Sequence, residues 1–599
     1  MKNHKPVFKY MSAVMLALFV TTSCEDYLDQ APEAAIAEED VFNKFVTFQG
    51  YMEDIYQCVV DETLGRDAHT NWNFSDDVFE DRSDALSSLF DQGNYMSGWQ
   101  HWKSSQFWGD IGVDNDNNTS AKGRKGYWQS GWYGIRKANT ALKNLSKLTS
   151  GTQEERNIIA GQAYFFRAYL HFEIMRSWGG VAYVDSVFSP TDEIRLPRLS
   201  YRETAMKAAE DLRKAAELLP ANWDETTVGQ ATAGQNEGRV TKGAALAYLG
   251  KNLLYAASPL MNGVSTGSYT YDEALSAEAA EAFNEVIQLA NQGYHGLETW
   301  ADYYKNFYTQ NRELPIGKEV IFNNPVYMNK RWNYGEHQLQ VLGGWGMYAS
   351  PTANYVENFG MENGLPIAEA DSGYDPANPW DNREPRFYYN IVKGGDRLIT
   401  TANASKAPLD EFAQFHLGGR HRNPNNSISG YGHTKFRPLT ANNRDGQWGG
   451  NYYYECPQMR LADVYLMYAE AVNEAFGPTG SVPGGPTAIE AVNIIRNRAQ
   501  LPDIDGRFTA SKEAFREAIR VERAVELAFE SHRWFDLRRW YVSHLPQYRE
   551  KYELEYDADR TYYKKVLKGT IVFEEKHYWL PFAVGQVTLY PQFEQNPGW

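Results

Sequence analysis

Cysteine is scarce in this chain of 599 residues, which has three: Cys24, Cys58 and Cys456. None of them stands in a Cys-x-x-Cys pair, and no Cys/His spacing typical of a zinc site occurs. The sequence therefore excludes a structural metal site of that type. If Cys24 is consumed by processing, the other two predict separate buried thiols or, in an oxidising compartment, one disulfide.

Positive charge is also in short supply. The 59 Lys and Arg residues are outnumbered by 76 Asp and Glu residues, which gives a formal net charge of -17 and a pI near 5.3. No basic cluster interrupts this negative field, so the field repels nucleic-acid phosphates and disfavours passive adhesion to anionic lipid. The composition excludes a nucleic-acid-binding function.

Apolar runs long enough to cross a membrane are absent as well. The run at residues 11–20 (MSAVMLALFV) has ten residues, whereas a spanning helix needs roughly 20. It follows a basic stretch that contains Lys2, Lys5 and Lys9, and small residues come after it. This order predicts a signal peptide over residues 1–23.

Residues 21–24 (TTSC) resemble the lipobox of bacterial lipoproteins, in which the cysteine is acylated and becomes the new N-terminus. The two threonines depart from its commonest pattern, and an ordinary signal peptide with an incidental cysteine is the alternative. Glu25 and Asp26 resemble a surface-export signal of some Gram-negative lipoproteins. We predict lipidation of Cys24, an acidic tether over residues 24–40, and attachment to the outer membrane on the cell exterior.

Helical periodicity dominates two regions of the remaining chain, residues 41–295 and 458–545. Their alanine-rich helices pair through short turns, which is the logic of a tetratricopeptide array. Residues 296–457 are dense in Gly, Asn, Pro and aromatics, and predict loops with short strands. We expect one mainly α domain over residues 41–599, with an extended tail at 570–599. The predicted helices are 126–148, 153–178, 201–219, 240–257, 271–291, 460–472, 488–499 and 512–540, and the predicted strand is 319–322.

Several segments resemble, in the right order, those of the SusD/RagB family of surface nutrient-binding lipoproteins. They are residues 161–169 (GQAYFFRAY), 178–181 (WGGV), 238–255 (GRVTKGAALAYLGKNLLY), 460–471 (RLADVYLMYAEA), 491–502 (AVNIIRNRAQLP), 521–539 (VERAVELAFESHRWFDLRR) and 595–599 (QNPGW). The resemblance covers essentially all of the mature chain.

This resemblance implies a fold of tetratricopeptide-like helix pairs in which the loop-rich second region carries the ligand surface. It also implies a partner, a TonB-dependent outer-membrane transporter, to which family members deliver captured oligosaccharides or, in one branch, peptides. Family members are not catalysts, so we expect an oligosaccharide- or polysaccharide-binding protein and no enzyme. A peptide-capturing protein of the same fold and a surface glycoside hydrolase are the alternatives.

Aromatic residues crowd two polar segments of the chain. Flat rings stack on the C–H faces of sugars, while Asn, Asp and Arg side chains bind sugar hydroxyls. The alternative for any one ring is a place in the core. The first cluster is Trp72, Phe74, Tyr95, Trp99, Trp102 and Trp108, near Arg82, Asp76, Asp77 and Asn94, and the second is Trp332, Tyr334, Trp345 and Tyr348. We predict that Trp72, Arg82, Trp99, Trp102, Trp332, Tyr334 and Trp345 bind the ligand. The family resemblance implies Arg82, Trp99 and Trp102 in particular.

Two motifs with catalytic associations are predicted to be structural. Residues 263–267 (GVSTG) match the nucleophile elbow G-x-S-x-G but lack the strand that precedes it, which favours a loop. Glu522, Glu526 and Glu530 line one helical face, and paired carboxylates are also typical of a glycosidase site. Neighbouring arginines would lower the pKa of these carboxyls, which favours an ion-pair network. The arginines are Arg520, Arg523, Arg533, Arg538 and Arg539.

Calcium is the one cofactor that the sequence leaves open. Residues 114–118 (DNDNN) begin like a calcium-binding loop. Thr119 and Lys125 stand where an EF-hand needs Gly and Glu, so an EF-hand is excluded. Two possibilities remain: a looser structural calcium site with oxygen ligands, or no metal site.

Overall fold

The computed structural model describes residues 38–60, 62, 75–80, 86–96, 127–189, 191–310, 313–324, 350–399, 411–441, 453–589 and 591–599. Within these ranges the protein is mainly α-helical, as predicted. The predicted signal peptide and Cys24 lie outside the described residues. None of the helices in the described ranges is both long and apolar enough to cross a membrane.

The helices fall into a long N-terminal series and a shorter C-terminal one. The first series is α1 Glu38–Phe42, α2 Phe45–Glu53, α3 Leu86–Asp91, α4 Tyr127–Asn144, α5 Gln153–Trp178, α6 Tyr201–Leu218, α7 Lys242–Ala257, α8 Pro259–Thr266 and α9 Glu273–Asn291. The second is α10 Ala353–Val356, α11 Pro385–Asn390, α12 Leu461–Phe476, α13 Ala488–Arg498, α14 Lys512–Glu526, α15 Arg533–Arg539 and α16 Val584–Val587.

Local sequence explains where several of these helices begin. Helices α5, α6 and α13 start with capping boxes, in which a Thr or Ser and a Glu three residues later each accept the other's backbone N–H. In α5 the pair is Thr152 and Glu155. Each box satisfies two amide groups that the first helical turn leaves open. These helices were therefore predictable from short-range sequence.

The long helices stack in chain order. Helix α4 packs on α5, α5 on α6, α6 on α7, α7 on α9, α9 on α12, and α12 on both α13 and α14. Each helix contacts its neighbours in the row, which is the arrangement of tetratricopeptide-like arrays. Small side chains on α6, among them Ala205, Ala208 and Ala209, are fully buried and let the backbones approach closely. The structure confirms the predicted fold class.

Short antiparallel strand pairs tie down the loop-rich region. The strands are β1 Val78–Phe79, β2 Tyr308–Thr309, β3 Val320–Phe322, β4 Ser350–Pro351, β5 Ile391–Val392, β6 Gly432–His433, β7 Tyr453–Tyr454, β8 Met459–Arg460, β9 Glu550–Tyr556 and β10 Tyr563–Thr570. They pair as β1–β4, β2–β7, β3–β8, β5–β6 and β9–β10. Strand β3 confirms the strand predicted at 319–322, and its pairing with β8 joins this region to the start of α12.

Two main apolar cores hold the molecule together. The larger follows the helical array, and both Cys58 and Cys456 are buried. The second gathers aromatic residues of the loop-rich region, such as Tyr355, Phe359 and Phe387, around residues 524–529. The end of α14 is thus the place where the loop-rich region packs on the helical array.

The prediction of one continuous helix over residues 512–540 was wrong. Helix α14 ends at Glu526 and α15 begins at Arg533, and between them Phe529 and Ser531 both adopt φ near +63°. The Lys435 ammonium donates to the carbonyls of Glu526 and Ala528, at 2.9 and 3.0 Å. These carbonyls are capped by a buried cation instead of by the next helical turn, so the helix stops here.

The GVSTG segment is helical and not a loop, so that prediction was also wrong. Its first four residues complete α8, and Gly267 ends the helix with φ +86°. Ser265 Oγ accepts a hydrogen bond from the backbone N–H of Arg202 at 3.2 Å. No strand precedes the motif, so the segment lacks the strand–turn–helix geometry of a nucleophile elbow.

The ion-pair network predicted for Glu522, Glu526 and Glu530 is confirmed, but its cations are different ones. Arg460 bridges Glu526 and Glu530 at 2.8 and 2.7 Å and also reaches Glu319 at 2.6 Å. We call Arg460, the carboxylates Glu319, Glu522, Glu526 and Glu530, and the other cations that bind these carboxylates the Arg460 cluster. The other cations are Arg386, Lys435, Arg496 and Arg498.

The arginines nearest in sequence bind elsewhere. Arg523 pairs with Asp463 and Asp536, Arg533 with Asp76, Arg539 with Glu470 and Asp536, and Arg520 with Glu517. Burial raises the pKa of Glu526, but Arg498, Arg460 and Arg386 outweigh burial and hold that pKa well below its ordinary range. The glutamate is therefore a permanent anion, which is unsuited to a general acid.

Replacing the central arginine tests how much the Arg460 cluster contributes to stability. Arg460→Met leaves Glu319, Glu526 and Glu530 buried with fewer cations, and removing one partner of a buried ion pair costs about 3–5 kcal/mol. We expect the free energy of unfolding, measured by urea titration followed by circular dichroism, to fall by that order. Arg507→Met is the control because Arg507 also binds three carboxylates but is exposed. Equal losses in both variants would contradict this account.

Candidate functional site

The seven predicted ligand-binding residues all lie outside the described residues, so their roles stay predictions. They fall on segments 63–74, 81–85, 97–126 and 325–349. The structure does describe the residues that flank these segments, which we call the segment roots. The segment roots are Val59, Val60, Glu62, Ser75, Asp76, Asp77, Glu80, Tyr95, Tyr127, Asn324 and Ser350.

Three of the segments have a root at one place on the helical array. The Asn324 side-chain amide donates to the carbonyl of Val59 at 2.8 Å, so the roots Asn324 and Val59 are in direct contact. The Tyr127 hydroxyl donates to Glu62 at 3.1 Å, which joins two further roots. Gln458, just before β8, donates to the carbonyl of Val60 at 3.0 Å. Residues more than 260 positions apart are thus direct neighbours.

The other roots meet at the β1–β4 pair. Val78 pairs with Pro351 and Phe79 with Ser350. Thr352 extends the pairing, because its backbone N–H donates to the carbonyl of Asp77 at 3.0 Å. The roots Asp77 and Ser350, which are more than 270 positions apart in sequence, therefore belong to one paired element.

Two adjacent carboxyls, Asp76 and Asp77, have opposite environments at this junction. Asp76 forms a two-point ion pair with Arg533 at 2.8 and 2.7 Å. Asp77 is fully buried; one of its oxygens accepts from the Ser75 backbone N–H at 2.9 Å, and the other has no hydrogen-bond partner. Burial, together with the charge of Asp76, raises the pKa of Asp77 to about 7 despite the opposing effect of Lys551.

The junction around Val59, Glu62 and Tyr127 rests on a second buried set of charges. Arg176 of α5 contacts Glu62 at 3.1 Å and Glu173 at 2.5 Å, and its guanidinium stacks over Phe535 at 3.9 Å from the ring centre. Burial raises the pKa of Glu173 to about 7, although Arg176 pulls that pKa down. Arg176, which contacts both Glu62 and Glu173, therefore joins the root Glu62 to helix α5.

Tyr95, Asp76 and Asp77, which stand in or near the first aromatic cluster in sequence, all lie in the interior of the protein. Tyr95 is 2% exposed, packs edge-on against Phe90 and stacks on His577 at 4.7 Å between ring centres. The two aspartates are buried and used as described above. All three are therefore used in contacts within the protein.

A carboxyl with a pKa near 7 is in the range of a general acid or base, but the carboxyls of Asp77 and Glu173 face protein atoms. Asp77 is 0% and Glu173 3% exposed, and their raised pKa values come first from burial. A catalytic acid has to reach its substrate within hydrogen-bond distance. Among the residues that the structure describes, no group of three or more His, Cys, Asp or Glu side chains could hold a metal ion. The calcium candidates at 114–118 lie outside them.

Sequence reasoning missed the residues that anchor the segments. Asn324, Gln458 and Arg533 carry no local motif, because each binds a partner hundreds of residues away. A weak signal did exist for Arg533, because it lies in segment 521–539, one of the segments that resemble the family. The many arginines of this segment indicated buried ion pairs. Its partner Asp76 was visible only as a polar residue near an aromatic cluster.

The fold defines a class of protein: a tetratricopeptide-like helical array joined to a loop-rich region by short strand pairs and buried ion pairs. Two family profiles match this chain, one described as "SusD family" over residues 317–599 and one described as "Starch-binding associating with outer membrane" over residues 26–254. The chain belongs to the SusD/RagB family.

Individual relatives match over nearly their whole length. SusD-like protein P2 of Formosa agariphila is 25% identical over 538 residues, which are 89% of this chain and 90% of the relative. Among solved structures, a SusD-like protein of Bacteroides fragilis is 25% identical with a TM-score of 0.72, covering 95% of this chain and 100% of its own. A SusD-like carbohydrate binding protein of the same organism is 20% identical with a TM-score of 0.64, over 92% and 100%.

The contrast between Asp76 and Asp77 predicts opposite effects of two neighbouring substitutions. Between about pH 4 and pH 7 the unfolded Asp77 is ionised while the folded one keeps its proton, so the wild type loses stability as pH rises through this window. Asp77→Asn cannot ionise. Its free energy of unfolding, relative to the wild type, should rise by on the order of 1 kcal/mol per pH unit in this window and then level off.

Asp76→Asn is the matched control, because it leaves Arg533 buried without its carboxylate. We expect this variant to be less stable than the wild type at every pH from 4 to 8, in urea titrations at each pH. A relative stability of Asp77→Asn that does not change with pH would contradict the assignment of a raised pKa to Asp77.

Proposed function

We propose that this protein captures oligosaccharides at the cell surface and delivers them to a TonB-dependent outer-membrane transporter. The observation that carries the proposal is the convergence of the segment roots, the described residues that flank the segments to which both aromatic clusters belong in sequence. Membership of the SusD/RagB family supports it. So do the descriptions of a matching profile as starch-binding and of a structural neighbour as a carbohydrate binding protein.

The proposed ligand chemistry is stacking plus hydroxyl recognition. Tryptophan and tyrosine rings offer flat apolar faces to pyranose C–H groups, and an arginine offers donors to the hydroxyls. A binding surface that is preformed loses little conformational entropy when the ligand arrives. The proposed contact residues are those predicted from sequence: Trp72, Arg82, Trp99, Trp102, Trp332, Tyr334 and Trp345.

The proposed location is the outer membrane, with the acyl chains on Cys24 as the anchor. A profile that matches residues 26–254 is described as associating with the outer membrane. The basic stretch, the ten-residue apolar run and Cys24 stand in the order of a lipoprotein leader. An anchored protein keeps captured ligand near the transporter by holding both at one surface, which raises the effective concentration.

Removing one ring from each cluster tests the binding surface. We expect Trp99→Ala and Trp332→Ala each to weaken binding to the polysaccharide identified on a glycan array by about tenfold or more, since a lost stacking contact costs about 1–2 kcal/mol. Affinity electrophoresis in gels containing that polysaccharide measures the change. Tyr562→Ala is the control, because Tyr562 is an exposed aromatic residue between β9 and β10, outside both clusters. Unchanged retention of both tryptophan variants would exclude this surface.

The same purified protein separates the alternatives. A peptide-capturing protein would bind no glycan on the array and would bind peptides in calorimetry. A glycoside hydrolase would release reducing sugars from the polysaccharide that it binds, and we expect no release.

The anchor is tested by metabolic labelling with radioactive palmitate. Cys24→Ser should abolish incorporation of the label and release the protein from the membrane fraction. Cys58→Ala is the control, because Cys58 is buried in the helical core and should not affect acylation. Unlabelled wild-type protein would rule out lipidation.

A further inference from the structure

A small cavity lies beneath two of the segment roots, between Ser75 and Tyr95. Its volume of about 20 Å³ exceeds the roughly 10–15 Å³ that one water molecule needs. It therefore has room for a water molecule or a small ion. The lining residues are Ser75, Phe90, Asp91, Tyr95, Trp534, Arg538, Ser543, Tyr548, Ile571 and Phe573.

Arg538, in the cavity wall, is a buried cation that no described carboxylate pairs with. Its side chain is 5% exposed, and its guanidinium lies 3.3 Å from the centre of the Trp534 ring. It donates to the Tyr95 hydroxyl at 2.7 Å and to the carbonyl of Trp534 at 3.3 Å, while Nε has no partner. Burial lowers the pKa of Arg538 to about 10, so the group stays charged at neutral pH.

The other groups around the cavity do not neutralise this charge. Asp91 is the one carboxylate that lines it, and Lys551 holds both Asp91 oxygens at 2.8 and 2.9 Å. The Asp91–Lys551 pair is therefore neutral as a unit. Ser543 presents a second buried donor, because its hydroxyl has no hydrogen-bond partner. The cavity wall thus contains one uncompensated positive charge and a spare hydroxyl.

We infer that this cavity binds a small monovalent anion of the halide class, chloride under physiological conditions, between Arg538 and Ser543. An uncompensated buried charge is expensive, and a counter-ion at hydrogen-bond distance relieves that cost. The cation–π contact with Trp534 offsets part of it only. Because Ser75 and Tyr95 are segment roots, the bound ion would also fasten the supports of segments 63–74 and 97–126.

Bromide is the direct probe of this site. In crystals of the mature protein soaked in sodium bromide, an anomalous difference peak should appear in the cavity, near Arg538 and Ser543. In solution, the melting temperature should rise by about 1 °C for each tenfold increase in chloride above its dissociation constant, for a chain of this length. Sodium gluconate at equal ionic strength is too large for the cavity and should give no such rise.

Two variants and one control assign the effect to the cavity. Arg538→Met should abolish the difference between chloride and gluconate, and Ser543→Ala, which keeps the charge, should reduce it. Arg507→Met removes an exposed arginine and should retain the full difference. If Arg538→Met does not fold, the difference in melting temperature between chloride and gluconate in Ser543→Ala decides the test. A cavity without an anomalous peak, or a chloride effect that survives unchanged in the folded cavity variants, would overturn the inference and leave water as the occupant.

Discussion

The buried guanidinium of Arg460 is the contact on which the rest of the structure depends. Arg460 lies directly before α12, and its side chain binds Glu319 beside β3, Glu526 at the end of α14 and Glu530 in the following turn. These groups come from the loop-rich region and from the helical array, so this arginine joins the two. Buried charges are tolerated only when each is paired with good geometry. A shifted packing of the two regions would leave several glutamates unpaired.

The ion pairs of Arg460 also affect the segment roots, through the end of α14. Lys435 and Arg460 bind the carbonyl of Glu526, the helix stops, and the chain turns into α15. That turn sets the position of Arg533, which holds Asp76 beside β1. The position of Asp76 and β1 is therefore linked through Arg533 to the Arg460 cluster.

Helices could be predicted from the sequence wherever the determining contacts are local, as at Thr152 and Glu155. The break between α14 and α15 could not, because the cation that caps it, Lys435, lies about 90 positions upstream. The carboxylate network was predictable as a kind of interaction but not in its partners, which come from distant loops. The same limit applies to aromatic residues: Tyr95 is in the core because of His577 and Trp599, which only the fold brings to it.

The distribution of charge also bears on the choice between binding and catalysis. The described carboxyls with a pKa near 7, Asp77 and Glu173, are raised by burial and are enclosed by protein atoms, so their proton exchange affects stability instead of a substrate. Glu526 is held as an anion by three arginines. The ionisable groups of the described framework are thus used to hold its helices, strands and loops together.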